Sequence, residues 1–443
     1  MKIYQRGLFV FDKDLRLHDQ PALVDASNKC ERLLCIYILP VDLFQPTQYS
    51  LTPMGNMRWR FLHESLVCLK DKLNALGHNL LIVNGEPVEV LTNLSQQYHL
   101  DAIFASRYAG SYESRRWIHL QRRFPLLDIH LIDSHTLFLM QQVDLNEPFY
   151  SSFSQFRKAV TSFHYHKPIN SINKLAAPLP LDLDWNDSDL PPLKDEANIV
   201  EGGEDAALEH MMSYFSHDYA SYYKLTRNDL DGWNRSSKFS FWLSNGCLSI
   251  RLLHEKLHDF EAEHGENEST QHLHFELLWR EFFQWYAHYY QHSLFVFSGI
   301  QNKRPLTSFY PGAFRQWLEG KTPWPLVNAL MHQLTTTGYM SNRGRQITAS
   351  CLVNELGADW RAGAYAFEHY LLDYDVASNW GNWQYIAGVG SDPRGGRHFN
   401  IEKQTQIYDP NGDFIKYWQG ESGYAQYTVD AADWPLNPKK PDS

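Results

Sequence analysis

Short apolar runs alternate with helical patterns over the first third of the chain, and this alternation restricts the fold more than any other feature of the sequence. The runs typical of buried strands are Gly7–Phe11, Leu33–Leu39, Leu80–Val83, Ala102–Ala105 and Ile129–Ile132. Helical patterns lie between them at Pro21–Asn28, Gly55–Leu76, Pro87–Tyr98 and Ser111–Arg123. Strands that alternate with helices of this length form βαβ units, in which the strands are parallel. Residues 1–133 are therefore predicted to form an α/β domain with a doubly wound parallel sheet.

The rest of the chain is predicted to form a linker followed by an all-α domain. Between residues 134 and 203 no period is visible, and this segment contains the proline- and acid-rich stretch PLPLDLDWNDSDLPPL. From residue 204 to residue 443 helical periodicity takes over and strand signals vanish. Because a chain of 443 residues is longer than one hydrophobic core usually serves, we expect two domains.

Charge and cysteine content exclude several classes of protein. Forty basic and 51 acidic residues give a net charge of −11, which argues against nucleic-acid binding by bulk charge but allows a local basic groove. The five cysteines are scattered without a CxxC motif, so neither a disulfide framework nor a zinc site is predicted. The N-terminus has no apolar signal core, and no run approaches membrane-spanning length. We expect a cytoplasmic protein without a membrane segment.

The stretch from Asn342 to Arg394 predicts two packed helices that carry charge. One helical face would hold Ile347, Cys351, Leu352 and Leu356, and the next would hold Trp360, Ala364, Phe367 and Leu371. The same stretch contains Arg345, Asp373 and Asp375, which a plain apolar core would not include. Buried charges need partners, so these residues predict a paired polar site, with a structural salt bridge as the simpler alternative.

A short polar cluster precedes an apolar helix in the middle of the chain. Its members are Ser236, Ser237, Lys238 and Ser240. Hydroxyls and backbone amides at a helix N-terminus are suited to phosphate, and the lysine adds positive charge. A helix cap with nothing bound is the simpler alternative.

The segment HLHFELLWREFFQWYAHYYQH is predicted to be helical. Residues spaced three and four apart share one of its faces: Glu276, Trp279, Arg280 and Phe283. The order from Glu276 to Arg280 favours a helical ion pair, so a surface pair beside core aromatics is the simpler interpretation. His288 and His292 are one turn apart, but without a third ligand they predict no metal site.

Several motifs, in their order and spacing, resemble the photolyase/cryptochrome family and most closely its cryptochrome-DASH branch. They are FDKDLRLHDQPAL near the N-terminus and, further on, ELLWREF, NRGRQ, LLDYD, SNWGNW, YIAGVGSDPR and FNIEKQ. The resemblance implies an α/β antenna domain followed by a helical FAD-binding domain. Without the family resemblance, we would expect Arg16 of the first motif to lie in a solvated loop.

The resemblance also implies a function, which is blue-light-driven repair of cyclobutane pyrimidine dimers by electron transfer from reduced FAD. Gln346 and Tyr385 resemble the DASH branch and imply a preference for single-stranded DNA, with RNA as a further candidate partner. A monomer is expected. The alternatives are a blue-light photoreceptor or regulatory nucleic-acid-binding cryptochrome, and a flavoprotein without a DNA function. The short polar tail that ends at Ser443 favours repair over signalling.

Individual residues receive roles from the same resemblance. FAD would be bound by Tyr223, Ser236, Ser237, Lys238, Ser240, Arg280, Asn342, Arg345, Asp373, Asp375 and Asn379. The catalytic and substrate-side residues would be Glu276, Trp279, Asn379, Gln346 and Tyr385. Electrons would reach the flavin through Trp383 and Trp360, and the candidates for a distal member are Trp317, Trp324 and Tyr310. The DNA backbone would be contacted by Arg227, Arg343, Arg394 and Arg397.

A light-harvesting folate, 5,10-methenyltetrahydrofolate, is a further cofactor that the resemblance implies. Many relatives have a glutamate that holds the pterin ring, and Tyr108 stands at that place in this sequence. Glu113, one helical turn further on, is the nearby substitute.

Overall fold

The computed structural model describes residues 2–145, 148–180, 190–194, 199–392 and 394–421. Residues 181–189, which form much of the proline- and acid-rich stretch, and the polar tail beyond residue 421 lie outside the described residues. The predictions made for those two segments therefore stay predictions. The domain boundaries at residues 133 and 203 also stay predictions.

The N-terminal part contains the predicted parallel sheet. Its main strands are β1 (Tyr4–Phe11), β2 (Cys30–Leu39), β3 (Leu80–Asn84), β4 (Ala102–Ser106) and β5 (Asp128–Ile132). They lie in the order β3-β2-β1-β4-β5, and neighbouring strands are parallel. Each predicted run is a strand, which confirms the α/β prediction.

Apolar side chains cover both faces of the sheet. Because successive side chains of a strand alternate between faces, Phe9 and Phe11 of β1 pack into a large core that continues into the helical part. Leu8 and Val10 pack into a second, smaller core on the other face. The helices beside the sheet are α1 (Pro21–Lys29), α2 (Asn56–Ala75), α3 (Pro87–Tyr98) and α4 (Ser111–Arg123). They match the predicted helical patterns to within one residue at each end.

The segment between the two parts is more regular than the sequence predicted. Helix α5 (Phe153–Val160) lies within it, and Ala177–Pro178 adds a short parallel strand to β2. Three side chains of α5 are buried, at Phe153, Phe156 and Val160. Their spacing places them on one helical face, so α5 is fixed to its surroundings by an apolar stripe.

The C-terminal part is helical, as predicted, and its described residues contain no strand, only an isolated bridge between Ser308 and Ala358. Its first helices are α6 (Glu204–Ser216), α7 (Tyr223–Thr226), α8 (Ser240–Ser244), α9 (Ile250–His264) and α10 (Glu268–Tyr290). They are followed by α11 (Pro311–Leu318), α12 (Pro325–Thr337), α13 (Asn342–Ser350), α14 (Trp360–Tyr370), α15 (Val376–Ala387), α16 (Ile401–Tyr408) and α17 (Asp413–Tyr417). Helix α15 packs against both α10 and α14. The two predicted helices of the central stretch are α13, which continues into a π-helical turn at Cys351–Glu355, and α14.

Arg16 is buried where the two parts of the chain meet, so the expectation of a solvated loop is wrong. Only 1% of this residue is exposed. Its guanidinium donates hydrogen bonds of 2.9–3.1 Å to the backbone carbonyls of His18, Asp19, Ser134 and Gly246. Because buried N–H groups need acceptors, these bonds hold the loop after β1, the connecting segment and the turn between α8 and α9 together.

Replacing Arg16 with lysine should destabilise the fold, because one ammonium group cannot reach carbonyls that are arranged around a planar guanidinium. We expect a loss of about 2–4 kcal/mol in the free energy of unfolding, since buried carbonyls lose their partners. Urea unfolding followed by circular dichroism measures this loss. Arg32→Lys, at an exposed position of β2, is the matched control and should change stability by less than about 0.5 kcal/mol. Equal stability of the two variants would contradict the role assigned to Arg16.

Candidate cofactor and substrate cavity

A cavity of about 580 Å³ lies in the helical part. Helices α10, α13, α14 and α15 contribute to its walls, together with residues between Tyr223 and Ser244. Most of the predicted binding and catalytic residues line it: Tyr223, Ser236, Ser237, Lys238, Ser240, Glu276, Trp279, Arg280, Asn342, Arg345, Gln346, Asp373, Asp375, Asn379 and Tyr385. Its volume and mixed lining are suited to a large ligand that carries both rings and charge.

Arg345 and Asp373 form an ion pair in the cavity wall. Nη2 of Arg345 donates to both carboxylate oxygens of Asp373, at 3.0 and 2.9 Å, and Nε donates to the carbonyl of Met340 at 2.9 Å. The pairing makes the burial of the Asp373 carboxylate tolerable, and Arg345 itself is partly exposed. Among the described residues Nη1 of Arg345 has no partner, so it can hydrogen-bond a ligand.

Asp375 is satisfied by uncharged donors. It accepts the backbone N–H of Ser378 at 2.7 Å, which caps α15, and both of its oxygens accept from Nε2 of Gln284 at 3.0 Å. Gln284 lies on α10 one turn after Arg280 and hence on the same side of that helix. Gln284 was not predicted as a site residue, although its spacing of four from Arg280 indicates a shared helical face.

Asn379 lines the cavity from the second turn of α15. Its Nδ2 donates to the carbonyl of Ala364 on α14 at 3.0 Å. This bond fixes the orientation of the side-chain amide. Its second N–H and its Oδ1 have no partner among the described residues, which leaves an uncharged donor and acceptor for a ligand.

The predicted serine and lysine cluster also lines the cavity. Nζ of Lys238 donates to Oγ of Ser236 at 2.8 Å and to the carbonyl of Gly232 at 3.2 Å, and it lies 4.6 Å from the ring centre of Tyr339. The positive charge is therefore held in place, with only 5% of Lys238 exposed. Tyr339 is a cavity residue that the sequence analysis missed, because no local pattern distinguishes it from a core aromatic.

Glu276 pairs with a different arginine from the one predicted. Nη2 of Arg227 lies 2.7 Å from Oε1 of Glu276, and Nε2 of His272 lies 3.3 Å from the same oxygen. Arg280 instead donates to the carbonyl of His135 at 2.8 Å. The simpler interpretation, an ion pair of Glu276 with Arg280, is therefore wrong, because Arg227, which follows α7 directly, lies closer. Arg227, predicted to contact DNA, lines the cavity and orients the Glu276 carboxylate.

Aromatic rings surround the residues predicted to lie on the substrate side. The rings of Trp279 and Tyr385 lie 6.2 Å apart and nearly perpendicular, at 84°. The Tyr385 hydroxyl is hydrogen-bonded to Arg397, whose guanidinium also pairs with Asp392 at 3.1 Å. Gln346 lines the cavity as well. Such an arrangement offers flat apolar surfaces beside polar groups, which is what a nucleobase requires.

The tryptophans predicted to carry electrons lie in different surroundings. Trp383 lines the cavity, whereas Trp360 lies behind the wall with 0% exposure. The ring of Trp383 is 6.3 Å from Trp317, and that of Trp360 is 5.7 Å from Trp380. A side chain at Gly363 would come within 2.1 Å of Trp383, so this glycine is needed for the close approach. Trp317, a candidate for the distal member, is fully buried and does not reach the surface.

The two remaining arginines predicted to contact DNA do not line the cavity. Arg343 lies over the rings of Phe399 and Tyr408, at 5.7 and 5.1 Å from their centres. Arg394 is exposed. Their predicted contact with DNA stays a prediction.

Tyr108 and Glu113 lie just after β4, beside the end of β1. The strand order reverses between these two strands, and sheets of this kind bind ligands at that point. Tyr108 is buried, and its ring contacts that of His135 at 5.4 Å. Burial raises the pKa of the Glu113 carboxyl, and the nearby charge of Asp12 adds to the rise.

A second carboxyl with a raised pKa lies where α14 meets α2. Burial raises the pKa of Glu368 to about 7, although Arg58 and a hydrogen bond with Tyr374 oppose the rise. Arg58 donates to the backbone carbonyl of Glu368 at 2.7 Å, and its guanidinium lies 4.4 Å from the ring centre of Tyr374. Glu368 thus connects a cavity residue, Tyr374, to a helix of the N-terminal part.

No group of three or more histidine, cysteine or acidic side chains among the described residues has the arrangement of a metal site. Burial, together with the charge of Arg107, lowers the pKa of His288 to about 4.

Among the described residues, every helix is too short or too polar to cross a bilayer.

Two family models match this chain, and together they define its class. Residues 8–177 match DNA photolyase, and residues 273–439 match the FAD binding domain of DNA photolyase. The second match contains most of α10 and all of α13–α15, which line the cavity. The protein is thus a photolyase-type protein with an FAD-binding domain.

Comparison with similar proteins assigns the chain to one branch of this class. The chain is 47% identical to cryptochrome DASH of Idiomarina loihiensis over 98% of each chain, and 47% identical to cryptochrome DASH of Vibrio parahaemolyticus over 97% of each chain. Its structure is similar to that of a Synechocystis cryptochrome, with a TM-score of 0.88, 34% identity and coverage of 94% of this chain and 89% of the other. The chain belongs to the photolyase/cryptochrome family, in its cryptochrome DASH branch.

Replacing Glu368 with glutamine should make stability less dependent on pH. The unfolded glutamate loses its proton near its ordinary pKa of 4.5, whereas the folded state keeps the proton up to about 7. In the wild-type protein the Glu368 carboxyl therefore makes its full contribution to folded-state stability below pH 4.5. This contribution is lost as pH rises through 7. The glutamine variant cannot lose a proton, so at about pH 8 we expect it to gain about 1–3 kcal/mol relative to wild type.

Urea unfolding at about pH 5 and about pH 8 measures this difference. Glu263→Gln, at an exposed position of α9, is the control and should leave the pH dependence unchanged. The same pH dependence in Glu368→Gln and in wild type would refute the assignment.

Proposed function

We propose that this protein uses blue light and FAD to repair cyclobutane pyrimidine dimers, with a preference for single-stranded DNA. The observation that carries the proposal is that one cavity contains both sets of residues such a reaction needs. Arg345, Asp373 and Asn379, which would bind the cofactor, line the same cavity as Glu276 and Trp279, which would bind the substrate. A reduced flavin and an extruded dimer held in one cavity would be close enough for direct electron transfer.

The cavity residues fit FAD chemically. The hydroxyls of Ser236, Ser237 and Ser240, with the fixed charge of Lys238, would hold the diphosphate. Nη1 of Arg345, which has no partner among the described residues, would bind the isoalloxazine. FAD, when bound, supplies the light-driven electron chemistry.

Asn379 would face N5 of the flavin. Its amide is held by the Ala364 carbonyl and carries no charge, so it can hydrogen-bond a reduced flavin without imposing a charge on it. Trp383 and Trp360 would return oxidised flavin to the reduced state, with Trp383 next to the cavity. No residue is assigned to the distal position of this electron-transfer chain.

Glu276 and Trp279 would hold the lesion. The Glu276 carboxylate is oriented by Arg227 and His272 and would accept hydrogen bonds from a pyrimidine ring. Trp279 would stack on that ring, opposite Tyr385. Photolyases belong to the base-flipping enzymes, for which extrusion costs a few kcal/mol and costs least in single strands. We also assign strand-backbone contacts to Arg343, Arg394 and Arg397, and RNA is a further candidate strand.

An antenna folate is a finer proposal for the N-terminal part. The ends of β1 and β4 meet at the reversal of strand order, and the carboxyl of Glu113 there would bind the pterin of 5,10-methenyltetrahydrofolate. Tyr108 would supply a flat, buried surface next to it.

We also propose that the protein is a monomer in a reducing cytoplasm. All five cysteines are free, which fits a compartment that keeps thiols reduced.

Purified, photoreduced protein under blue light should remove dimers from a single-stranded oligonucleotide faster than from the matching duplex. Glu276→Ala should weaken repair about tenfold or more, because a charged hydrogen bond to the lesion is lost. Asn379→Ala should lower the amount of reduced flavin and repair with it. Glu263→Gln, at an exposed position, is the control, and dimer content is measured by chromatography.

The outcomes separate the candidate functions. Flavin that is bound and photoreduced without any dimer cleavage would contradict repair and support the photoreceptor or regulatory cryptochrome. Equal repair by Glu276→Ala and wild type would contradict the assigned substrate contact. A protein that binds flavin but has no affinity for any nucleic acid would support a flavoprotein without a DNA function.

Glu113→Gln should release 5,10-methenyltetrahydrofolate more readily than wild type, because the pterin would lose its carboxylate partner. Absorption spectra of the protein reconstituted with this folate and then gel-filtered measure retention. Glu89→Gln, at an exposed position of α3, is the control. Wild-type protein that retains no folate would contradict the antenna proposal and leave the repair proposal intact.

A further inference from the structure

Phe153 lies outside the cavity lining but contacts Trp279, one of the predicted substrate-binding residues. It lies in the first turn of α5, and its ring stacks on that of Trp279 with centroids 3.8 Å apart and an interplanar angle of 10°. Among the described residues, the next ring near Trp279 is Phe283, at 5.7 Å. Phe153 itself is 6% exposed.

This stack fixes the plane of the indole. At 3.8 Å two parallel rings are in van der Waals contact over their faces, so no other group fits between them. Phe282 contacts Trp279 from another direction, at 5.9 Å and 87°. Trp279 also lines the cavity, so its ring is supported by α5 and remains accessible to a ligand.

We propose that Phe153 is a positioning residue, which holds the plane of Trp279 so that a nucleobase of the lesion can stack on it. The inference rests on the proposed repair function. It assigns a substrate-related role to α5, a helix that lies in the segment between the two parts and contributes no residue to the cavity lining.

Phe156 provides the comparison that separates positioning from core packing. It lies on the same face of α5 and is 0% exposed. Its ring contacts are with Phe149, Tyr150 and Phe282, at 6.4, 5.4 and 5.5 Å, and do not include Trp279. Leucine at either position removes a buried ring from α5, but only the change at Phe153 removes the stack.

Fluorine-19 NMR tests the geometry without any substrate. Full-length, FAD-loaded protein is labelled with 5-fluorotryptophan, and the Trp279 resonance is identified by its loss in Trp279→Phe. We expect Phe153→Leu to shift this resonance and Phe156→Leu to leave it in place. An unchanged resonance in Phe153→Leu, or the same shift in both variants, would overturn the positioning role.

Binding measurements test the consequence for recognition. In Phe153→Leu, the affinity for a dimer-containing single strand should fall about three- to tenfold. The affinity for the undamaged strand and the flavin content should stay as in wild type. Phe156→Leu should keep all three values, and Phe153→Met, whose flexible apolar side chain can fill part of the space without a ring, should repeat the loss if Phe153→Leu does not fold.

The proposal and the function on which it rests fail in different ways. If the wild-type protein does not prefer the dimer-containing strand, the repair function fails, and the NMR result alone decides the contact. If wild type prefers that strand and Phe153→Leu keeps the preference while its Trp279 resonance has shifted, the positioning role is overturned.

Discussion

Two carboxylates of the cavity wall, Asp373 and Asp375, are buried beside partners from other elements, and the site depends on this pairing. Arg345 of α13 pairs with Asp373, which precedes α15, and Asp375 accepts hydrogen bonds from Gln284 of α10. A buried carboxylate without such a partner would cost on the order of several kcal/mol or take up a proton. The groups that line the cavity therefore also fix its helices relative to one another.

Buried polar groups also need partners where the two parts of the chain meet, and these hydrogen bonds join the two parts. Arg16 donates to carbonyls on both sides of the junction, and Glu204 of α6 accepts backbone N–H groups from the loop after β1. Glu281 of α10 accepts the backbone N–H groups of Leu137 and Phe138, at 2.9 and 3.1 Å. Since α10 also carries Trp279, the position of the connecting segment and that of the substrate-side tryptophan are linked through a single helix.

Local sequence pattern predicted those features whose determining contacts are close along the chain. The strands of the sheet and helix α4 follow from alternation and helical period, which neighbouring residues set. Arg16 was misplaced because its acceptor on Gly246 lies 230 residues away. The simpler interpretation gave Glu276 the wrong partner because Arg227, which follows α7, belongs to a distant segment of the chain. The family resemblance predicted that residues far apart in sequence, such as Ser236, line one cavity. Periodicity could not predict this, because the pattern of one segment carries no information about its contacts with another.

Under the proposed function, the residues that position the substrate and those that bind the cofactor are separable. No described residue of the segment between residues 134 and 203 lines the cavity, yet Phe153 of that segment supports Trp279. A change in α5 can therefore alter the plane of Trp279 and leave the contacts of Arg345 and Asn379 untouched. Under the proposed function, residues that bind the cofactor must also preserve its redox chemistry, whereas α5 contributes nothing to the cavity lining. We therefore expect α5 to vary with fewer constraints and, through Trp279, to affect which strand or lesion is accepted.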